Sequence, residues 1–273
     1  MGFMLEGGPL RVLLQPAEFL IIGGAGLGGL FIATSPSLLR KIWRQGLAAA
    51  RPSPFSRELY LELLQLLYEV LVKAKRNGLI ALEQDLAAPA DSPVFIAHPD
   101  ILDHPEAVEF MCEALGMLVD GAMRPDDFEM VLTTHLETHH EEESKPAAAM
   151  AKVGDTLPGL GIVAAVLGIV ITMQSVNGKP EDIGHSVAAA LVGTFLGVFL
   201  SYGYVQPLTS NMEQQAAAEA RFLQCIKHCL VAFARGAPPL VAVEVARHVM
   251  FSDDRPAADD LAEACRIAAR RAA

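Results

Sequence analysis

The stretch Leu157–Met173, LPGLGIVAAVLGIVITM, decides the fold. It sits in a run from Thr156 to Gly178 that holds no Asp, Glu, Lys or Arg. A helix needs about 20 apolar residues to cross about 30 Å of hydrocarbon, and this run supplies them. Two further uncharged runs have the same character. Phe19 to Leu39 contains FLIIGGAGLGGLFIA, and Ile183 to Met212 contains VAAALVGTFLGVFLSYGYV. All three are rich in Gly and Ala, which lets helices approach closely in lipid, and Gly24/Gly28 and Gly193/Gly197 have the small-xxx-small spacing. No strand-like alternation occurs elsewhere. The chain therefore reads as all-α: a polytopic helical membrane protein with three spans and a helical cytoplasmic domain.

Composition agrees. The 273 residues are 52% hydrophobic and 19% charged, with net charge −11 and mean hydropathy +0.34. Such hydropathy beside such charge implies segregation into uncharged and strongly charged stretches. It excludes a disordered chain and a basic nucleic-acid binder, so no nucleic acid is expected as a partner. Cys112, Cys225, Cys229 and Cys265 have no CxxC or Cys/His zinc spacing, so they read as reduced apolar fillers. Gly24-Ala-Gly26-Leu-Gly28-Gly29 mimics a dinucleotide fingerprint. The required acid about 20 residues on is missing, and basic Arg40, Lys41 and Arg44 stand there instead.

Those bases, with Arg51 and Arg57, place the side after the first span in the cytoplasm. The organisation that follows is an outer N-terminal segment (1–18), a span (19–39), a cytoplasmic helical domain (40–155), a span (156–178), an outer turn (179–186), a span (187–206) and cytoplasmic C-terminal helices (207–273).

In the cytoplasmic parts, Leu59, Leu63, Leu66, Leu67, Val70 and Leu71 mark an amphipathic helix over Ser56 to Lys75, with Ser56 as cap and Gly78 as stop. A short helix over Leu79 to Leu86 follows. One from His104 to Val119 is expected under an Asp103 cap, and another starts at Pro125 and continues toward the second span. Helices are also expected over Glu213 to Arg235, Leu240 to Met250 and Ala257 to Ala272. From Glu83 to Glu143 there are sixteen acids against one base, Arg124. That imbalance is either a solvated face or a docking surface for a basic partner. His135, His139 and His140 cluster, but without HExxH or a second ligand set they read as a polar surface, and no metal is expected.

No nucleophile elbow, P-loop or metal-hydrolase motif occurs, so no catalytic residue, enzyme activity or cofactor is expected. The uncharged runs hold no acid or base, whereas moving protons or cations through lipid normally requires an ionisable group at depth. Thr172, Thr194, Ser201 and backbone carbonyls are left to line a path, and the carboxylate is expected from a partner helix. Thr194 either lines that path or bonds back into its own helix. Pro158 and Pro207 frame the second and third spans, either as hinges or as helix ends.

Several segments together resemble motility protein A (MotA), the A subunit of the bacterial flagellar stator. They are Gln15-Pro-Ala-Glu18, Lys73-Ala-Lys-Arg-Asn-Gly78 with Ala81-Leu-Glu83, Val153-Gly-Asp-Thr-Leu-Pro-Gly-Leu-Gly-Ile-Val163, Val192-Gly-Thr-Phe-Leu-Gly197, Ala237-Pro-Pro239 and Phe251-Ser to Arg255-Pro256. The resemblance covers essentially the whole chain. It implies an inner-membrane proton channel of the MotA/TolQ/ExbB superfamily that drives motility and chemotaxis. Five A subunits would surround two B subunits (MotB-like), each B subunit bringing one essential aspartate. Ion flow would turn the A ring against the rotor switch-ring protein (FliG-like), generating torque.

Carried over by position, Lys73, Lys75, Arg76 and Glu83 match the rotor-contact region, with Lys75 where relatives often carry Arg. Pro158 and Pro207 match the torque-coupling prolines. Thr194 and Ala165 line the ion path, and the methyl of Ala165, where sodium-driven relatives tend to carry Thr, favours protons. The family has four membrane helices, so the first helix is expected to be missing from this chain. The alternative is a TolQ/ExbB-type energiser subunit of a transport or envelope complex, which has three spans but lacks the Lys75/Glu83 pairing.

Overall fold

The computed structural model describes residues 13, 15–121, 123–174 and 180–271. The expected outer N-terminal segment falls largely outside them, and the expected outer turn falls partly outside. Every regular element among the described residues is helical. The principal helices are α1 (Pro16–Ala33), α2 (Pro36–Ala48), α3 (Arg57–Asn77), α4 (Glu83–Ala87), α5 (Pro93–Ile96), α6 (Pro99–Leu102), α7 (Pro105–Val119), α8 (Pro125–Gln174), α9 (Pro180–Leu200), α10 (Gln206–Ala234), α11 (Pro239–Val249) and α12 (Ala258–Arg271).

They form two compact units. The first takes the chain up to Arg51 together with Ser144–Gln214; the second takes Pro52–Glu143 and Gln215–Ala273.

In the first unit, the uncharged run from Phe19 divides into two helices. α1 ends at Ala33, Thr34 is extended (φ −128°, ψ 148°) and Ser35 caps α2 by accepting from the Leu38 N–H. Pro36 forces the break, because a residue before proline is pushed out of the helical region. α1 also begins earlier than expected, with Pro16 at its first position, and so takes in Glu18. This corrects the expectation that no acid lies within the spans. At 18 residues, α1 is about 27 Å long, close to the hydrocarbon thickness.

The core of this unit is Ile22, Leu157, Ala164, Val192 and Leu196. Glycine sets its tightness. A Cβ on Gly161 would lie 2.8 Å from the Gly193 carbonyl oxygen, and one on Gly197 would lie 2.5 Å from that of Leu157, so α8 and α9 meet backbone to backbone. By contrast, Gly24 and Gly28 face open space, and their spacing is not used for packing among the described residues. Many large apolar side chains point outward, including Leu20, Ile32, Ile171, Leu191 and Tyr202, as lipid-facing surfaces require.

The second unit is built around α3, whose buried Leu59, Leu63, Leu66, Leu67, Val70 and Leu71 contribute to one core with Phe110, Met111, Phe128, Phe222, Ile226 and Leu230. Ser56 caps α3 as expected, and Gly78 closes it at φ 86°, a left-handed conformation that glycine adopts without steric cost. The expected Asp103 cap on α7 is not formed. His104 is the N-cap residue without a side-chain bond, because Asp103 closes α6 and its N–H bonds to the Pro99 carbonyl. Cys225, Cys229 and Cys265 are buried, Cys112 is half-buried, and all four are free thiols. Burial pushes Cys112 and Cys265 up to about 11 and Cys225 up to about 12.

Candidate functional site

The expected functional residues fall into two groups, one in each unit. In the membrane unit, Pro158 lies inside α8, which continues unbroken through it and through Pro146. It is therefore not a helix end. Pro207 is the second residue of α10 and directly follows a π-helical turn, Ser201–Val205. A proline cannot donate to the carbonyl four residues back and its ring crowds that carbonyl; widening the preceding turn relieves both problems. Ser201 inside this turn is fully buried and donates to the Gly154 carbonyl at 2.7 Å, tying the π turn to α8. Gln206 adds a 2.8 Å bond to Asp155.

Ala165 is buried, and its backbone nitrogen lies 3.2 Å from where a Cβ on Gly193 would be. Thr194 is the next residue on α9 and half-buried. Thr172 and Thr209 each donate to the carbonyl four residues back, at 2.8 Å. Thr194 makes no such bond among the described residues. Sequence reading left open whether it was consumed by its own helix, and it is not.

The residue that sequence reading missed is Glu18. It is only 7% exposed. Its Oε2 lies 2.6 Å from the position of a Cβ on Gly193, and its Oε1 lies 3.7 Å from that of a Cβ on Gly168. The available signal was Pro16, which marks the first position of a helix and so extends α1 past Glu18.

In the second unit, Lys75 and Glu83 are exposed on either side of the Gly78 turn, Lys75 in the last turn of α3 and Glu83 opening α4. Arg76 is exposed beside them. Lys73 is occupied differently. Its Nζ donates to Asp85 Oδ2 at 2.5 Å, and Ser92 Oγ donates to Asp85 Oδ1 at 2.8 Å. Asp85 is buried, so this network pins α4 and the α5 cap against the end of α3. Beneath it, His98 is 1% exposed, with Nε2 3.4 Å from Glu69 and Nδ1 3.9 Å from Glu62. Burial and the nearby Asp100 raise the Glu62 carboxyl above its ordinary range.

The expected histidine cluster separates. His135 lies 3.7 Å from Glu113, and His139 lies 3.5 Å from Glu219. Glu106 joins the second pair, and one ligand atom from each of Glu106, His139 and Glu219 lies within 4.8 Å of the others. Sharing a hydrogen bond with Glu219, together with some loss of solvent around its carboxyl, raises the largely exposed Glu106 to about 7, and the same Glu219 raises His139. Sequence distance hides this trio, since α7, α8 and α10 each supply one member. The acidic excess is partly answered internally: Arg235 bonds Asp126 at 3.2 Å and Glu129 at 2.6 Å, and Arg124 bonds Asp127 at 2.9 Å.

Helices packed backbone to backbone, with large apolar side chains turned outward, are the architecture of a helical membrane protein. Two family models match the chain. The MotA/TolQ/ExbB proton channel family covers residues 104–224, and the motility protein A N-terminal model covers residues 1–78. Motility protein A of Salmonella typhimurium is 35% identical over 96% of this chain and 89% of its own length. Chemotaxis protein LafT of Vibrio parahaemolyticus is 35% identical over 93% of this chain and 90% of its own. The solved structure of C. jejuni MotAB shares the fold with TM-score 0.77 at 20% identity, covering 94% of this chain and 92% of that one. This chain belongs to the motility protein A family. It is a flagellar stator subunit of the proton-channel type, a membrane protein and a motor component rather than an enzyme. These relatives are motility and chemotaxis proteins, and the energiser alternative gains no support from them.

Proposed function

We propose that this subunit sits in the bacterial inner membrane, with residues 40–155 and the tail from 207 in the cytoplasm. Five copies surround two MotB-like B subunits, whose membrane aspartates complete the path. Protons pass the face that carries Ala165 and Thr194. Pro158 and Pro207 convert the resulting helix adjustment into movement of the cytoplasmic helices. Lys75, Arg76 and Glu83 push on the FliG-like switch ring, while Lys73 acts from behind through Asp85. The C. jejuni and Bacillus subtilis structures that share this fold are both MotAB complexes, which supports a B-subunit partner.

The observation that carries the reading is the state of Thr194. Thr194 is half-buried and makes no bond back into its own helix among the described residues, while Thr172 and Thr209 both do. The test is motility. Swimming speed is expected to fall with a protonophore and to ignore sodium, and sodium-dependent speed would overturn the ion assignment. Glu83→Lys is expected to impair swimming, with recovery on a compensating charge change in the rotor protein. Normal swimming of the single variant would remove Glu83 from the rotor contact.

A further inference from the structure

Lys227 on α10 is 9% exposed and makes no ion pair among the described residues. Its Nζ donates to Thr133 Oγ1 on α8 at 2.9 Å, and that neutral hydroxyl is its one bond there. An ammonium carries three donors, so two remain. Glu129, one turn before Thr133 on α8, is already held by Arg235 at 2.6 Å. Withdrawing an ammonium from water is costly unless an opposite charge faces it, and a hydroxyl supplies none. The charge is felt nearby: burial and Lys227 together push His228 below its ordinary value.

Lys227 lines a groove of about 310 Å³ between α8 and α10, where the α10 wall carries the small Ala217 and Ala220. Arg221, Gln224 and Lys227 follow one another on that wall at three-residue steps, which keeps them on one side of the helix. His140 stands on the α8 wall. Arg221 is held in place by Phe251, whose ring centre lies 4.3 Å from its guanidinium carbon, and by the Val249 carbonyl at 3.5 Å, and it too makes no ion pair among the described residues. Glu137, the one acid lining the groove, is exposed and pairs with neither base among the described residues. A guanidinium fork, a point-charge ammonium and an amide on one wall, with an imidazole on the other, suit an anion with several oxygens spread in three dimensions. A phosphate group offers that arrangement. We propose that this groove binds a phosphate-bearing small anion, inorganic phosphate or a phosphate monoester, which supplies the counter-charge of Lys227 and is oriented by Arg221 and Gln224. The groove lies wholly in the second unit, so the site stands apart from the ion path.

The experiment uses the full subunit, purified from membranes in detergent. Thermal unfolding is followed at fixed pH and ionic strength in chloride, in inorganic phosphate and in glucose 6-phosphate. Relative to chloride, phosphate is expected to raise the unfolding temperature by about 2–4 °C, the scale for a ligand at several times its Kd. An equal or smaller shift with glucose 6-phosphate supports a site for the free ion, and a larger one supports a site for the ester. Lys227→Met keeps the stem and removes the charge. It is expected to unfold no earlier than the wild type in chloride, since a buried charge without a counter-charge is gone, and to lose the phosphate shift. Arg221→Gln is expected to raise the phosphate concentration at half-shift about 10-fold, the scale of one lost charge-assisted bond. Equal unfolding temperatures of the wild type in all three solutions overturn the site, and so does a phosphate shift that survives Lys227→Met. Should Lys227→Met fail to fold, Arg221→Gln decides: an unchanged half-shift concentration overturns the site and a raised one supports it.

Discussion

Gly197 and Gly24 are the same residue in two similar apolar helices, and the structure predicts opposite responses to a methyl group. At Gly197 the added Cβ meets the Leu157 carbonyl oxygen and the Gly161 backbone. Backbone cannot rotate out of the way as a side chain can, and overpacking of this kind costs about 1–3 kcal/mol. Gly197→Ala is expected to reduce the amount of folded subunit in the membrane fraction. Gly24→Ala meets nothing within 4 Å and is expected to leave that amount unchanged. Quantitative immunoblots of membranes separate the two.

Glu106 offers a prediction of another kind. Raised from 4.5 to about 7, it holds a proton more tightly in the folded protein than in the unfolded chain. Its contribution to stability is complete below its ordinary value and is lost as pH rises through about 7. His139, also raised, acts in the same direction. Thermal unfolding of the detergent-solubilised complex is expected at lower temperature at about pH 8 than at about pH 6, and Glu106→Gln should flatten that slope. An unchanged slope in the variant would assign the pH dependence elsewhere. Neither the closeness of Glu106 to Glu219 nor the burial of Glu18 could be read from spacing, because both depend on which faces of distant helices meet. That Lys75 and Glu83 flank one turn was legible from Gly78 between them, while their rotor role came only from the family resemblance.

Among the elements, α8 and α10 show where patterning succeeds and where it falls short. The sequence led to a helix starting at Pro125 and heading for the second span, and α8 is one 50-residue helix, about 75 Å long. Its interior prolines did not end it, because a proline in a long helix removes one bond while the neighbouring bonds persist. Ser35-Pro36 did end α1, since there Ser35 can cap the next helix. The π turn before Pro207 left no sequence signal beyond the proline itself. Pro207→Ala restores an N–H that can reach the Gly203 carbonyl, and the turn is expected to relax toward regular helix. Torque, read as swimming speed under load, should fall while complex abundance stays normal. Hydrogen exchange across residues 201–207 should slow. Unchanged exchange would mean that the π turn owes nothing to the proline.

For the molecule as a whole, the unusual pairing of positive mean hydropathy with net charge −11 resolves into two units of different chemistry. One exposes Leu20, Ile32 and Leu191; the other hides most of its leucines in a single core and spends Arg235 and Lys73 on its own acids. The all-α architecture was legible from uncharged runs of membrane-spanning length, helical leucine spacing in the charged parts and the lack of strand-like alternation, because lipid and water impose opposite surfaces. The buried thiols have a practical consequence. With Cys225 pushed to about 12 and both Cys112 and Cys265 to about 11, about one thiol in 10,000 or fewer is ionised at neutral pH. The natural chain is thus expected to react slowly with maleimides, which thiol labelling of the unmodified subunit checks. Reporter cysteines placed at Lys75, Glu83 or along α9 can be labelled and cross-linked in it without first stripping the native ones.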